Sequence, residues 1–225
     1  MVPTILVAGA TGNTARGVVE TLPSLISKSK DISEYRILAI SRSLKGATAQ
    51  QLSRVQGVEW KEQNWVDITD DWLCEHEVVR VFIASHTEPT QFAEESHFLV
   101  NCLRAGVKYL VRISTTDPNV VPDTVIYYPR AHWALEMMLS QPEFRALQWT
   151  SLRPNGFFNT FSGSAVPFIQ QYRQNEKQST LRIPINEDTP TGLIDPYDVG
   201  IAAAHLLALD DVSQHNGKKY VLNGP

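Results

Sequence analysis

Short apolar runs alternate with longer segments of helical period along most of the chain. The runs are aliphatic or β-branched, end at polar or turn residues, and lie at 4–8, 36–41, 79–85, 109–114 and 149–152. Such near-continuous runs are typical of strands buried on both faces of a parallel sheet. The segments between them are long enough for crossover helices and lie at 14–27, 47–55, 91–105 and 130–139. The pattern predicts an α/β fold with a doubly wound parallel sheet.

Composition narrows the class of protein further. Among 225 residues, 43% are hydrophobic and 20% charged, with a net charge of −4 and no basic block. Direct nucleic-acid contact and an anionic membrane surface are therefore not expected, and no apolar run approaches the ~18 residues of a membrane span. Cys74 and Cys102 are far apart, outside any metal-ligand spacing. No signal-peptide pattern precedes the first strand, so we expect a cytoplasmic protein.

A glycine-rich turn follows the first predicted strand directly. It reads Val-Ala-Gly-Ala-Thr-Gly-Asn-Thr-Ala at 7–15 and opens a segment of helical period. Gly9 permits the tight turn, and Gly12 lets backbone N–H groups approach a pyrophosphate, which the helix N-terminus also favours. In this context the turn predicts dinucleotide binding, with an ordinary β–α turn as the alternative. The candidate cofactor contacts are Gly9, Ala10, Thr11, Gly12, Asn13 and Thr14.

Further motifs follow the glycine turn in an ordered series. They are Ala-Gly-Val-Lys-Tyr-Leu-Val at 105–111, Leu-Arg-Pro-Asn-Gly-Phe-Phe-Asn at 152–159, Ile-Asp-Pro-Tyr-Asp-Val-Gly at 194–200 and Lys-Tyr-Val-Leu-Asn-Gly-Pro at 219–225. The series resembles the NmrA-like family of atypical short-chain dehydrogenases/reductases. That resemblance implies an NAD(P)-binding Rossmann fold, and a family of both reductases and non-catalytic redox sensors. It also implies one domain over 1–225, with 1–154 mostly the dinucleotide-binding core and 155–225 a reduced C-terminal substrate lobe plus the last core elements.

The end of the second predicted strand bears on the choice between NAD and NADP. NAD-selective sites usually carry an acidic residue there, whereas this strand ends in Ser-Arg-Ser at 41–43. Arg42 can pair with a 2′-phosphate and stack on adenine, so we predict NADP(H) as the cofactor. In the family the third-strand loop reaches the adenine, which makes Asp67 a candidate, with a helix cap as the equal alternative. Ser85, at the end of the third apolar run, is a further cofactor candidate.

Reductases of this superfamily commonly use a Tyr and a Lys four residues later, a spacing that places both side chains on one helix face. Here the matching residues are Tyr128 and His132, so histidine stands at the lysine position. A neutral imidazole can bond the nicotinamide ribose but brings no permanent positive charge. His132 can also donate the proton, because an unperturbed histidine has a pKa near ~6.5. We predict both residues as catalytic and His132 also as a cofactor contact; the alternatives are that Tyr128 only enters the helix and His132 packs beside Trp133.

Residues after the fifth and sixth strands complete the predicted site. Ser114 follows a strand whose carboxyl end should border the crevice, although simple capping of the strand end is the alternative. In the family the residues after Arg-Pro approach the nicotinamide, and aromatic residues wall the substrate pocket; core packing is the alternative for either aromatic. The cofactor candidates here are Ser114, Pro154 and Asn155, and the substrate candidates are Thr115, Phe157 and Phe158.

Two functions of different classes remain open. The first is an NADP(H)-dependent oxidoreductase that reduces a small carbonyl, imine or activated double bond, which the retained Tyr128 favours. The second is a non-catalytic NADP(H)-binding redox sensor that acts through a protein partner, which the missing lysine favours. No rival catalytic motif and no metal-ligand cluster stands in the sequence.

Overall fold

The computed structural model describes residues 2–178, 180–183, 188 and 190–224. The strands are β1 (Thr4–Ala8), β2 (Arg36–Ser41), β3 (Val58–Glu62), β4 (Val78–Ile83), β5 (Tyr109–Ile113), β6 (Gln148–Pro154), β7 (Gly156–Phe157), β8 (Leu193–Ile194) and β9 (Lys218–Leu222). Seven of them form one sheet in the order β3-β2-β1-β4-β5-β6-β9, and every neighbouring pair is parallel. A second small sheet pairs β7 with β8, also in parallel.

Helices cover both faces of the main sheet. They are α1 (Asn13–Ile26), α2 (Ala47–Leu52), α3 (Asp70–Glu75), α4 (Gln91–Arg104), α5 (Tyr127–Leu139), α6 (Phe158–Ser162), α7 (Ala165–Asn175) and α8 (Pro196–Leu207). Apolar residues of α1 and α8 share one core with one face of the sheet, and those of α3, α4 and α5 share the other core with the opposite face. The predicted doubly wound α/β fold is confirmed.

Two strands of the sheet, β3 and β9, are absent from the apolar runs. They form the two edges of the sheet, and their residues are half-buried or exposed. An edge strand has one strand neighbour and little cover, so it needs no continuous apolar run. The interior strand β1, by contrast, is buried at every position.

The contact between α1 and α8 explains the motif at 194–200. Asp195 caps α8 by accepting a hydrogen bond from the Tyr197 backbone N–H at 2.8 Å, and Pro196 occupies the first helical turn. At the crossing of the two helices, a Cβ added to Gly17 would lie 2.2 Å from the carbonyl oxygen of Tyr197, and one added to Gly200 would lie 2.0 Å from that of Thr14. Both glycines therefore allow the helix of the glycine turn to pack backbone to backbone on α8.

We expect Gly17→Ala to lower the free energy of unfolding by about 2 kcal/mol. Overpacking against backbone costs up to about 3 kcal/mol, and the better helix propensity of alanine returns about 1 kcal/mol. Gly46→Ala is the matched control, because a Cβ there meets no atom within 4 Å. Urea denaturation of both variants measures the difference; equal stabilities would contradict this account of the helix crossing.

Neither a membrane-spanning helix nor a metal site is present among the residues that the structure describes. No helix in the described part of the chain is long and apolar enough to cross a bilayer. Within the same residues, no group of three or more His, Cys, Asp or Glu side chains is placed to hold a metal ion.

Candidate functional site

The glycine turn lies where the strand order reverses, between β1 and β4. Doubly wound sheets bind ligands at the carboxyl ends of the strands on either side of such a point. Gly9 follows β1 with φ +71°, a conformation that favours glycine. Its added Cβ would lie 3.5 Å from the carbonyl oxygen of Ala84, which follows β4. Gly12 closes the turn by donating to the Gly9 carbonyl at 2.9 Å and is the N-cap of α1.

Two adjoining cavities open at this edge of the sheet. The first, of about 640 Å³, is lined by the glycine turn, by Arg42 and by residues after β3 and β4. The second, of about 510 Å³, is lined by residues after β5 and β6 and by the start of α5. Ala84 and Ser85 line both cavities. A cavity of about 630 Å³ beside Arg36 and Glu77, at the amino ends of the strands, contains no predicted site residue.

The predicted cofactor residues are divided among the cavities at this edge of the sheet. Gly9, Thr11, Gly12, Arg42 and Ser85 line it directly. Ala10 is fully buried under the turn, Asn13 lines a smaller cavity of about 450 Å³ beside the turn, and Thr14 lines the second cavity.

Asp67 is not brought to either cavity. It is exposed at the end of a 3-10 helix, Trp65–Asp67, that follows β3. Its neighbours Trp65 and Val66 line the first cavity instead. The cap of α3 is Thr69, whose Oγ1 accepts from the Trp72 N–H at 3.2 Å. The third-strand loop therefore reaches the groove at Trp65 and Val66, which are two residues and one residue before Asp67.

The second cavity brings together four of the residues predicted for chemistry, namely Ser114, Thr115, Tyr128 and His132. The Thr115 hydroxyl donates to the Tyr128 hydroxyl at 3.4 Å. The rings of Tyr128 and His132 meet edge to face, with centroids 6.3 Å apart. Ser114 Oγ is buried and has no hydrogen-bond partner in the described chain. An unsatisfied buried hydroxyl is costly, and a ligand oxygen in the cavity would satisfy it.

His132 is held by a buried arginine that the sequence reading missed. Arg112, the fourth of the five residues of β5, donates from Nη2 to His132 Nδ1 at 2.8 Å. The same guanidinium is paired with Glu95 of α4, with Nε 2.8 Å from Oε1. Both Arg112 and Glu95 are fully buried. An arginine inside the apolar run Tyr-Leu-Val-Arg-Ile was the one sequence signal for this pair.

Burial and the nearby Arg112 and Arg153 guanidinium groups lower the pKa of His132 well below the usual 6.5. The imidazole is therefore neutral at neutral pH. The expectation that His132 titrates near neutrality is wrong, because its environment disfavours the imidazolium twice, by desolvation and by like charge.

A second buried ion pair stands next to the first. Glu136 of α5 accepts from Ser151 Oγ at 2.7 Å and pairs with Arg153 of β6, which also bonds Asp117. Burial alone would raise the pKa of Glu136, but the hydrogen bond from Arg153 and the charge of Arg112 outweigh it and leave that pKa lowered. Two buried carboxylates thus face two arginines behind the cavity.

The second cavity is also lined by Phe157, a predicted substrate residue, and by Pro154 and Asn155, which are predicted cofactor contacts. Phe158 is instead 57% exposed and does not line it; Phe161, one turn further along, does. Asn155 Nδ2 also donates to Asn223 Oδ1 of the closing motif, whose Pro225 lies outside the described residues.

Comparison with solved structures supports the fold. A regulator described as NmrA, a negative transcriptional regulator in complex with NAD, matches with a TM-score of 0.71 and 17% identity over 99% of this chain and 66% of that chain. The same regulator in complex with NADP gives 0.70 and 18%, with the same coverage. An NADPH-dependent quinone oxidoreductase from Escherichia coli complexed with NADPH gives 0.69 and 22% over 98% of this chain and 69% of that chain.

A search of the curated proteins returned no match. The model of the NmrA-like family matches residues 1–223, which is nearly the whole chain. The chain therefore belongs to the NmrA-like family, which is the membership that its ordered motifs predict.

Proposed function

We propose that this protein binds NADP(H) in the groove formed by the two adjoining cavities and reduces a small carbonyl, imine or activated double bond there. The observation that carries the proposal is the convergence of Ser114, Tyr128 and His132 on one cavity beside the glycine turn. The similarity to a quinone oxidoreductase complexed with NADPH supports it.

The groove fits a dinucleotide at both ends. The N-terminus of α1 would hold the pyrophosphate through the unpaired backbone N–H groups of its first turn, and Gly9 and Gly12 place no side chain in front of them. Ser114 Oγ, buried without a partner in the described chain, lies in the wall of the cavity that would take the nicotinamide and the substrate.

The side chains of the second cavity suit reduction of an uncharged group. When bound, NADPH supplies the hydride for such a reduction. Tyr128 would donate the proton to the substrate oxygen or nitrogen as negative charge develops there. The Ser114 hydroxyl would bond the same atom, and the neutral His132 would bond a ribose hydroxyl. No Asp, Glu, Lys or Arg stands among the described residues that line this cavity, which favours an uncharged substrate.

Calorimetric titration with NADPH and NADH tests the binding half of the proposal. NADPH absorbance in the presence of aldehydes, quinones, enones and cyclic imines tests the chemical half. Substrate-dependent oxidation by the folded protein would support the reductase. Absence of binding by either nucleotide would overturn both the reductase and the sensor.

Arg42→Ala should weaken NADPH binding by 10-fold or more and leave NADH binding nearly unchanged. Arg42 lines the first cavity and makes no ion pair within the described residues, whereas Arg16 is paired with Glu20 at 3.1 Å. A charge-assisted bond to phosphate contributes ~1.5–3 kcal/mol, and ~1.4 kcal/mol corresponds to 10-fold in affinity. Lys45→Ala removes a neighbouring exposed charge that does not line the cavity. Equal losses of NADPH affinity in the two variants would show that the binding depends on the positive charge near the groove and not on a contact between Arg42 and the 2′-phosphate.

The neutral state of His132 favours a second candidate function, a nucleotide-binding sensor that acts through a protein partner. The lysine position then supplies neither a fixed cation nor an imidazolium at neutral pH, so nucleotide binding would proceed without chemistry. The likeness to a negative transcriptional regulator supports this candidate. Tight NADPH binding with flat absorbance across the whole substrate panel would favour the sensor over the reductase.

A further inference from the structure

Arg112 is a buried cation beside the candidate site that the proposed reaction leaves without a role. All three of its nitrogens donate hydrogen bonds: Nε to Glu95 Oε1 at 2.8 Å, Nη1 to Ser151 Oγ at 3.3 Å and Nη2 to His132 Nδ1 at 2.8 Å. Glu95 is fixed in turn by the Ser85 hydroxyl, which donates to its Oε2 at 2.6 Å. Arg112 does not line the cavity, whereas His132 does. The arginine therefore reaches the cavity through one hydrogen bond to His132, and through two by way of Glu95 and Ser85.

The contact determines which nitrogen of His132 carries the proton. A guanidinium has only donors, and a neutral imidazole has one donor nitrogen and one acceptor nitrogen. Nδ1 must therefore accept from Arg112, and the proton must be on Nε2. The Gln91 amide nitrogen lies 3.4 Å from Nδ1 and 3.2 Å from Nε2. That amide nitrogen is only a donor, so it cannot bond Nε2 when Nε2 carries the proton. Gln91 Oε1 is buried without a partner in the described chain, and a half-turn of the amide would bring this oxygen to the Nε2–H, which it would then share with a ligand oxygen.

We propose that Arg112 is a positioning residue that fixes His132 as a neutral imidazole protonated on Nε2, and that this N–H donates to an oxygen of the bound ligand. The arrangement replaces a mobile lysine ammonium by a rigid, uncharged donor whose orientation is set from behind by the Glu95–Arg112 pair. That the ligand oxygen is a ribose hydroxyl of the nucleotide rests on the proposed function. The tautomer of His132 rests only on its contact with Arg112.

Nitrogen-15 NMR of histidine-labelled protein without nucleotide tests the tautomer. The chain has six histidines, and loss of one set of signals in His132→Gln assigns the ring. We expect a pyrrole-like Nε2 and a pyridine-like Nδ1 in the wild type at pH 7. Protonation of Nδ1, or of both nitrogens, would overturn the proposal without any variant at the arginine.

The double variant Glu95→Gln/Arg112→Met tests the cause, since it removes both charges of the pair and leaves no unpaired carboxylate at Glu95. We expect a mixture of tautomers and 5- to 10-fold weaker NADPH binding, the effect of one misoriented hydrogen bond of about 1 kcal/mol. Arg80→Met is the matched control: Arg80 is another buried strand arginine, and it bonds the carbonyl oxygens of Leu207 and Leu209 at 2.7 and 2.6 Å. An unchanged tautomer and affinity in the double variant would overturn the role of Arg112.

Substitutions at His132 itself separate positioning from packing. Glutamine can accept from Arg112 through its oxygen and donate to the ligand through its amide nitrogen, so His132→Gln should retain NADPH affinity within about 3-fold. His132→Leu offers neither group and should lose 10-fold or more. Equal losses in both variants would contradict the donor role. If the wild type shows the expected tautomer but binds no nucleotide, the proposed function fails and the inference about Arg112 and the tautomer stands.

Discussion

Valine in place of Gly12 is expected to abolish measurable binding of both NADPH and NADH, a loss of at least 100-fold in affinity. Gly12 has φ −72° and ψ 160°, an extended conformation that any residue adopts, so the substitution does not strain the backbone. The loss would come from the side chain. A Cβ at Gly12 already lies 3.1 Å from the Gly9 carbonyl oxygen, and the branched methyl groups would occupy the cavity in front of the α1 N-terminus, where the pyrophosphate is proposed to bind.

Gly46→Val is the control for this substitution. Gly46 is also a helix N-cap, with φ −70° and ψ 150°, and a Cβ there meets nothing within 4 Å. The two variants therefore make the same chemical change in nearly the same backbone, and only one of them lies in the groove. Calorimetry on both, after circular dichroism has confirmed folding, measures the difference. Unchanged affinity in Gly12→Val would show that the turn is only structural.

The elements that could be predicted from sequence are those whose pattern is local. The interior strands bury both faces and are continuous apolar runs, and the glycine turn between β1 and α1 has its own composition. The edge strands β3 and β9 have no apolar run and could not be predicted from the sequence, because they are strands only through their pairing with β2 and β6. Asp67 illustrates the limit at residue level: a loop can be assigned to the groove, but its side-chain directions depend on a 3-10 turn that places Trp65 and Val66 there instead.

The environment of His132 shows what the sequence could not supply. The i, i+4 spacing from Tyr128 correctly places both residues beside one cavity. The protonation state of the histidine, however, depends on Arg112 from β5 and Arg153 from β6, which are distant in sequence. A lysine at this position, the residue that the superfamily pattern suggests, would set an ammonium against the Arg112 guanidinium. The histidine is therefore matched to the buried arginine, because it accepts a hydrogen bond that a lysine cannot accept.

If the protein is a reductase, Tyr128→Phe should lower kcat by 10²- to 10⁴-fold, the usual effect of losing a positioned proton donor. The change removes one oxygen from the wall of the second cavity and keeps the ring that meets His132 edge to face. Nucleotide affinity should therefore change by less than about 3-fold, so that the loss appears in kcat and not in cofactor binding.

Tyr127→Phe is the matched control for that loss. Tyr127 precedes Tyr128 on α5, but its hydroxyl donates to the Glu88 carbonyl at 2.7 Å and it does not line the cavity. We expect this variant to retain turnover within about 2-fold of the wild type. Steady-state NADPH oxidation with the best substrate of the panel measures both variants. Full activity in Tyr128→Phe would leave the reductase standing and remove Tyr128 as its proton donor. Ser114, whose hydroxyl is buried in the same wall without a partner in the described chain, would then be the next hydroxyl to replace, as Ser114→Ala.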